Sequence, residues 1–277
     1  MGLRIASNLT SLSIARNLVG SSESLSKTYQ RVATGRRIIS SADDAAGLAI
    51  SETLRASVRS TAQAERNAND GLSFIQVAEG SMTEIGNILI RLRELGVQAA
   101  SDTIGDRERE YINQEAQSLV QEIDRIANST TYQNLTLLNG EGDKGVVEIQ
   151  VGIRSDENDR IVYDTANMDV RASVLGLEGL DYESVDGARE ALDVVDEGMS
   201  RFFGIRASVG ALQNRLESAA RNAGVDKDNL AIAHARIADA DLALETAEMV
   251  RKSVVQSSAV SVLAQANSIP ALALKLL

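Results

Sequence analysis

The sequence has no cysteine, no tryptophan and a single proline, Pro270, and aromatic residues fill only 3% of its 277 positions. Without cysteine, neither disulfides nor thiolate chemistry is available. With so little proline, almost nothing interrupts a helix. Few aromatics and plentiful Ala and Ser fill a globular core poorly and suit closely packed helices. The only histidine, His234, reads as a surface helix residue. A bundle metal site would need Glu-x-x-His pairs on two helices, so no metal is expected. Gly140, Gly142 and Gly145 lack the Lys-Ser/Thr of a phosphate loop, so no nucleotide cofactor is expected either. Asp43-Asp44, Asp239 and Asp241 read as helix caps or solvated faces rather than a catalytic pair. No active site is discernible.

No apolar run approaches the ~20 residues of a membrane span. The start, Met1 to Asn8, lacks a basic region followed by an apolar core, so a cleaved signal is not expected. Two readings stay open: a cytoplasmic protein, or export by a route that leaves the N-terminus uncut. A net charge of −11 argues against nucleic acid as a partner. The charge is uneven, with eight Lys/Arg against four Asp/Glu in residues 1–60 and five against sixteen in residues 141–200.

What the chain does contain is a long apolar repeat. Counting in sevens from Ala188 meets Val195, Phe202, Val209, Leu216, Ala223, Leu230, Ile237 and Leu244, none of them polar. Three positions further on, from Ala191 to Ala247, Asp226 alone is polar. A sustained seven-residue repeat marks a helix that packs lengthwise on others. Some sixty residues would reach ~90 Å, so such a rod needs partners along its length. Gly224, Val225 and Asp226 form a soft spot in it, because glycine costs about 1 kcal/mol in a helix. A hinge is expected there.

Three further helices are expected. The first carries Ile5, Leu9, Leu12, Leu18 and Leu25 at helical spacing and stops at Thr34-Gly35. The second begins near Ser41, with Ser41 to Asp44 resembling a capping box. Its ladder is Ala68, Ile75, Met82 and Leu89, interleaved with Ala78, Ile85 and Leu92. The third is capped by Asp106 and presents Ile112, Ala116, Leu119, Ile123 and Ile126. The period then changes to two: Val147, Ile149 and Val151 alternate with polar residues, and Arg160 to Tyr163 returns as the partner strand of a hairpin. Ser184 or Asp186 can cap the long ladder, whose apolar pattern continues through Val254 and Leu263 to the tail from Pro270 to Leu277. The fold class is therefore mainly α, a long antiparallel coiled-coil-like bundle with a small β-hairpin. The terminal helices pair separately and expose stripes that only further copies can cover, which implies disorder in the monomer and order in an assembly.

Several blocks carry a resemblance. They are Thr34-Gly35-Arg36-Arg37-Ile38, the run Ala42-Asp43-Asp44-Ala45-Ala46-Gly47-Leu48-Ala49-Ile50-Ser51, and Glu65 to Ser73 leading into Gln76 to Gly80. At the other end stand Arg236-Ile237-Ala238-Asp239-Ala240-Asp241 and Ser261 to Asn267, followed by Pro270 and Leu276-Leu277. Together they resemble the bacterial flagellins over the whole chain. Two departures are Ala238, where many relatives are acidic, and the opening Met1 to Ile5. In hook–filament junction proteins the Asp pair is usually followed by Pro, whereas here Ala45 follows. That alternative, and any other secreted coiled-coil protein, is less well matched.

The resemblance implies a structural, non-enzymatic filament subunit of the minimal type, serving swimming motility in an extracellular flagellum. It implies an inner polymerisation domain of residues 1–41 with 226–277, a helical bundle of residues 42–225 with its hairpin at about 145–164, and a short outer variable region at 141–183. Packing between subunits would fall on Ile5, Leu9, Leu12 and Leu230, and on Ile237, Leu244, Val254 and Leu263. Implied partners are the flagellar type III export apparatus, an export chaperone and a filament cap protein. Leu89 to Leu95 looks like the family's immune-receptor segment, with Arg91, Leu95 and, on the next helix, Glu115 in the matching positions.

Overall fold

Periodicity of seven becomes helix length in the structure, a computed structural model that describes residues 8–141 and 145–275. Helix α2 (Ala45–Ala99) and helix α5 (Val185–Ala238) each run without a break. Contact density divides the chain into two units, Arg59–Asp228 and Met1–Val58 with Asn229–Leu277.

In the first unit, α2 and α5 run antiparallel. The backbone of Gly71 lies against Leu216, that of Gly86 against Phe202, and that of Gly96 against Leu192. Both ladders close on this seam: Ile75, Met82, Ile85, Leu89 and Leu92 face Val195, Phe202 and Leu216, all fully buried. Full burial of a Leu, Ile or Phe contributes ~1.5–3 kcal/mol, so these rows dominate the stability of the unit. Helix α3 (Asp106–Ser129) adds Ile112, Ala116 and Ile123, while Leu119 and Ile126 sit half-buried at its flank.

Asp106 does not cap α3. Gly105 stands at that position, and Asp106 inside the first turn receives the guanidinium of Arg109 at 3.0 Å. Arg109 itself is buried and donates to the carbonyls of Ala99 and Ser101, both at 3.0 Å. It thus fills acceptors that the end of α2 leaves open.

Beyond α3 the strands β1 (Thr131–Tyr132) and β2 (Leu135–Thr136) turn tightly through Gln133 and Asn134, both at positive φ. A second antiparallel pair follows, β3 (Val146–Gln150) with β4 (Arg160–Asp164), in the register Val147↔Tyr163 and Ile149↔Ile161. These four side chains face inward. Tyr163 is fully buried, meets Phe74 edge-on at 4.8 Å, and donates its hydroxyl to Leu137 O at 2.7 Å. Burial pushes that phenol well above its usual titration range. After the short helix α4 (Ala172–Leu175), closed by Gly176 in the left-handed region, Leu177 and Tyr182 complete the core. The strands and the segment from Met168 to Tyr182 thus contribute to the core of this unit, while the hairpin loop from Ile153 to Asn158 is exposed. Ser184 supplies the cap of α5, its Oγ accepting from Gly187 N at 3.0 Å.

In the second unit, helix α1 (Leu9–Thr34) lies along helix α6 (Leu242–Lys275). Two expectations fail here. Helix α2 starts at Ala45 rather than near Ser41, with Asp44 Oδ1 accepting from Gly47 N at 2.8 Å. The long ladder does not hinge at Gly224 to Asp226 but stays helical to Ala238, and it breaks at Asp239 to Asp241. One helical glycine costs only about 1 kcal/mol, while Ala223 is buried and Lys227 bonds Glu65 at 2.7 Å beside it.

Candidate subunit-packing surface

The seam between α1 and α6 is mixed in character. From α1 it takes Ile14, Leu18, Leu25, Thr28 and Arg31; from α6 it takes Glu245, Met249, Lys252, Ala259 and Leu263. Only Leu25, Thr28, Glu245 and Ala266 are buried. Polar pairs punctuate it: Lys252 Nζ donates to Thr28 Oγ1 at 2.9 Å, and Arg31 approaches Glu245 at 3.5 Å. At the far end Ser11 Oγ meets Asn267 Oδ1 at 2.7 Å.

On α6 the outward faces are more apolar than the face turned to α1. Leu9, Leu12, Val19 and Tyr29 on α1 are all at least half exposed, as are Val250, Val254, Val255, Val260 and Val262 on α6. At 100° per residue, Leu244, Val255 and Val262 share one flank of α6, and Leu242 and Val260 share the opposite flank. The strip pointing away from α1 carries Ala243, Val250, Val254 and Ser261. A helix that is apolar all round is one that expects cover on every side.

Of the eight positions singled out for packing between subunits, Leu9, Leu12, Leu244 and Val254 are exposed within the single chain. Leu230, Ile237 and Leu263 are half-buried, Leu263 on the face that α6 turns to α1. Ile5 lies outside the described residues. The wheel of α1 is turned so that Leu18 and Leu25 face inward while Leu9 and Leu12 face out. Spacing alone did not separate the two rows, because both are apolar.

Where the terminal pair meets its connectors, four helix ends come together in a clasp. Gly35, in the left-handed region at φ 68°, ends α1, and its carbonyl accepts from Ala240 N at 2.9 Å. Arg37 N donates to Ala238 O at 2.8 Å, and the Arg37 guanidinium donates to Ile237 O, so the last carbonyls of α5 are filled. Asp241 Oδ1 accepts from Ala243 N and Leu244 N at the start of α6. Asp43 accepts from the backbones of Ser40 and Ile39, and the Ser40 N–H in particular holds its carboxyl below the usual range. Asp43-Asp44 and Asp239 to Asp241, which the sequence offered as capping residues, are the working parts of this clasp. Arg37 stood in the sequence only within a resemblance block and its contact was missed; a cationic residue just past a helix stop is too common a pattern to single out.

In the other unit, Arg91 is bonded at 2.9 Å to Glu115 across α2 and α3 and at 3.1 Å to Glu94. These carboxylates, Glu115 first, raise the guanidinium pKa. Leu95 is buried in the core, so Arg91 and Glu115 alone of that trio are at the surface. Among the described residues no group of His, Cys, Asp and Glu could hold a metal ion, and no helix is long and apolar enough to cross a membrane.

Two family models match the chain: the bacterial flagellin N-terminal helical region over residues 5–143, and the bacterial flagellin C-terminal helical region over residues 192–277. A flagellin of Halalkalibacterium halodurans is 38% identical over 98% of each chain. The flagellar filament core protein flaB2 of Brachyspira hyodysenteriae is 34% identical over 99% of each. The crystal structure of Bacillus cereus flagellin superposes with a TM-score of 0.51 at 25% identity, covering 57% of this chain and 88% of that one. A putative flagellar hook-associated protein from Vibrio parahaemolyticus shares the fold, with a TM-score of 0.58 at 14% identity over 71% of this chain and all of that one.

Proposed function

The chain belongs to the bacterial flagellin family, and on that premise we propose that it is a structural subunit that polymerises into the flagellar filament through α1 and α6. One observation carries this reading: the outward faces of α6 are more apolar than the face it turns to α1, and α1 adds exposed Leu9, Leu12, Val19 and Tyr29. A soluble monomer gains nothing from such an arrangement, whereas a filament covers both flanks of α6 with neighbouring copies. Leu9, Leu12, Leu244 and Val254 are the positions from which contacts to other subunits are expected. Leu230 and Ile237 contribute through their exposed parts, and Leu263 holds α6 against α1. The filament is extracellular, reached by a type III export apparatus with an export chaperone, and grows beneath a cap protein. Arg91 and Glu115 are the surface groups that an immune receptor would meet.

Replacing Val255 and Val262 by Asp tests the reading. Both lie on one flank of α6, outside unit 59–228. Seeded filament growth should stop while that unit melts as before, because an unpaired charge under an apolar cover costs several kcal/mol. Growth at the wild-type rate would remove α6 from the assembly surface.

A further inference from the structure

Pro270 lies within the helical span of α6, where a proline has no N–H to give. The carbonyl four residues earlier, Ala266 O, therefore loses its intrahelical donor. That carbonyl accepts a hydrogen bond from Asn8 Nδ2 at 2.8 Å. The other end of the same amide caps α1, Asn8 Oδ1 accepting from Ser11 N at 3.0 Å. Ala266 is buried, so water has poor access to the carbonyl if Asn8 withdraws. One side chain thus satisfies an orphan donor at the start of α1 and an orphan acceptor near the end of α6.

We propose that Asn8 and Pro270 act as a pair that sets the register of α1 against α6. Pro270 vacates one carbonyl, and Asn8 is the group that finds it. Such a device is needed because the apolar pattern of α6 runs round the whole helix and defines neither its rotation nor its slide on α1. In a seam of that kind, a slip of one residue turns α6 by 100° and presents different residues outward. The vacated carbonyl occurs at one place on α6, so it distinguishes the correct register from its neighbours. Ser11, one turn beyond Asn8, meets Asn267, the residue after Ala266. The proposal rests on α1 and α6 forming the assembly surface.

Asn8→Asp isolates the donor. Aspartate caps a helix as well as asparagine but offers Ala266 O no hydrogen. Leaving a buried acceptor unsatisfied costs ~1–3 kcal/mol, so the free-subunit concentration at which seeded growth stops should rise roughly fivefold or more. Pro270→Ala restores the intrahelical donor to Ala266 O, and in that background Asn8→Asp should change this concentration by less than about twofold. The double variant should be no worse than the worse of the two single variants. Asn8→Asp assembling like wild type would overturn the proposal. So would an undiminished Asn8→Asp penalty beside Pro270→Ala, or loss of all assembly on Pro270→Ala alone, since alanine removes only the vacancy. The underlying assembly reading fails differently: Val255→Asp with Val262→Asp would then grow normally whatever occupies positions 8 and 270.

Discussion

Two glycines on α5 should respond to alanine in opposite directions. A β-carbon added at Gly198 would stand 3.0 Å from the carbonyl oxygen of Leu175 and 3.0 Å from Leu177 Cδ2. The leucine tip can turn aside. The carbonyl cannot, because it belongs to α4, which Gly176 closes in a left-handed turn and Asp124 holds through Ala172 N at 2.8 Å. At Gly204 the same added carbon meets nothing within 4 Å. Both substitutions remove glycine's helix cost of about 1 kcal/mol. Gly204→Ala keeps that gain, whereas Gly198→Ala sets it against an overpacking cost of ~1–3 kcal/mol. For a unit of this size 1 kcal/mol moves the midpoint by about 2–4 °C. Calorimetry of the full chain should therefore show the unit of residues 59–228 melting about 2–4 °C higher in Gly204→Ala. In Gly198→Ala it should melt unchanged to about 8 °C lower. If Gly198→Ala stabilised as much as Gly204→Ala, the close approach of α4 to α5 would be wrong.

Three other perturbations follow from the same geometry. Ala240→Pro deletes the N–H given to Gly35 O and should block addition to seeds without lowering the melting of unit 59–228; normal growth would show the clasp to be dispensable. Arg109→Ala uncovers the Ala99 and Ser101 carbonyls, so by differential calorimetry it should cost ~2–4 kcal/mol, and Arg109→Lys should recover little because one ammonium cannot span both. The Asp43 carboxyl titrates below its ordinary value in the fold, so its contribution is whole above pH ~4 and fades as pH falls through the lowered value. Filament dissociation followed against pH should show that acid-dependent component, and Asp43→Asn should flatten it.

Much of this architecture could be read before any coordinates. The sevens from Ala188 to Ala223 and from Ala68 to Leu89 are the buried rows of α5 and α2, because a repeat held over many turns leaves one geometry that buries it. The hairpin was equally legible, since Val147 and Ile149 alternate with polar residues opposite Ile161 and Tyr163. The break at Asp239 to Asp241 was not. No glycine or proline marks it, and it is held by bonds to Gly35 and Arg37, some 200 positions away. The soft spot at Gly224 misled for the converse reason: a local cost near 1 kcal/mol is outweighed by packing on both sides. Leu9 and Leu12 were expected at contacts between subunits, but spacing did not show that Leu18 and Leu25, placed in the same row, face inward. No local pattern singles out Asn8, because its meaning depends on Pro270 at the opposite end of the chain.

The central claim is that this chain forms filaments through its paired terminal helices. A cryo-electron microscopy map of filaments grown from the purified chain on seed fragments tests it most directly. The expected map shows α1 and α6 at the contacts nearest the filament axis, with Val255 and Val262 covered by a neighbouring copy. Subunits that stay monomeric, or filaments joined only through residues 59–228 with both flanks of α6 in solvent, would contradict it.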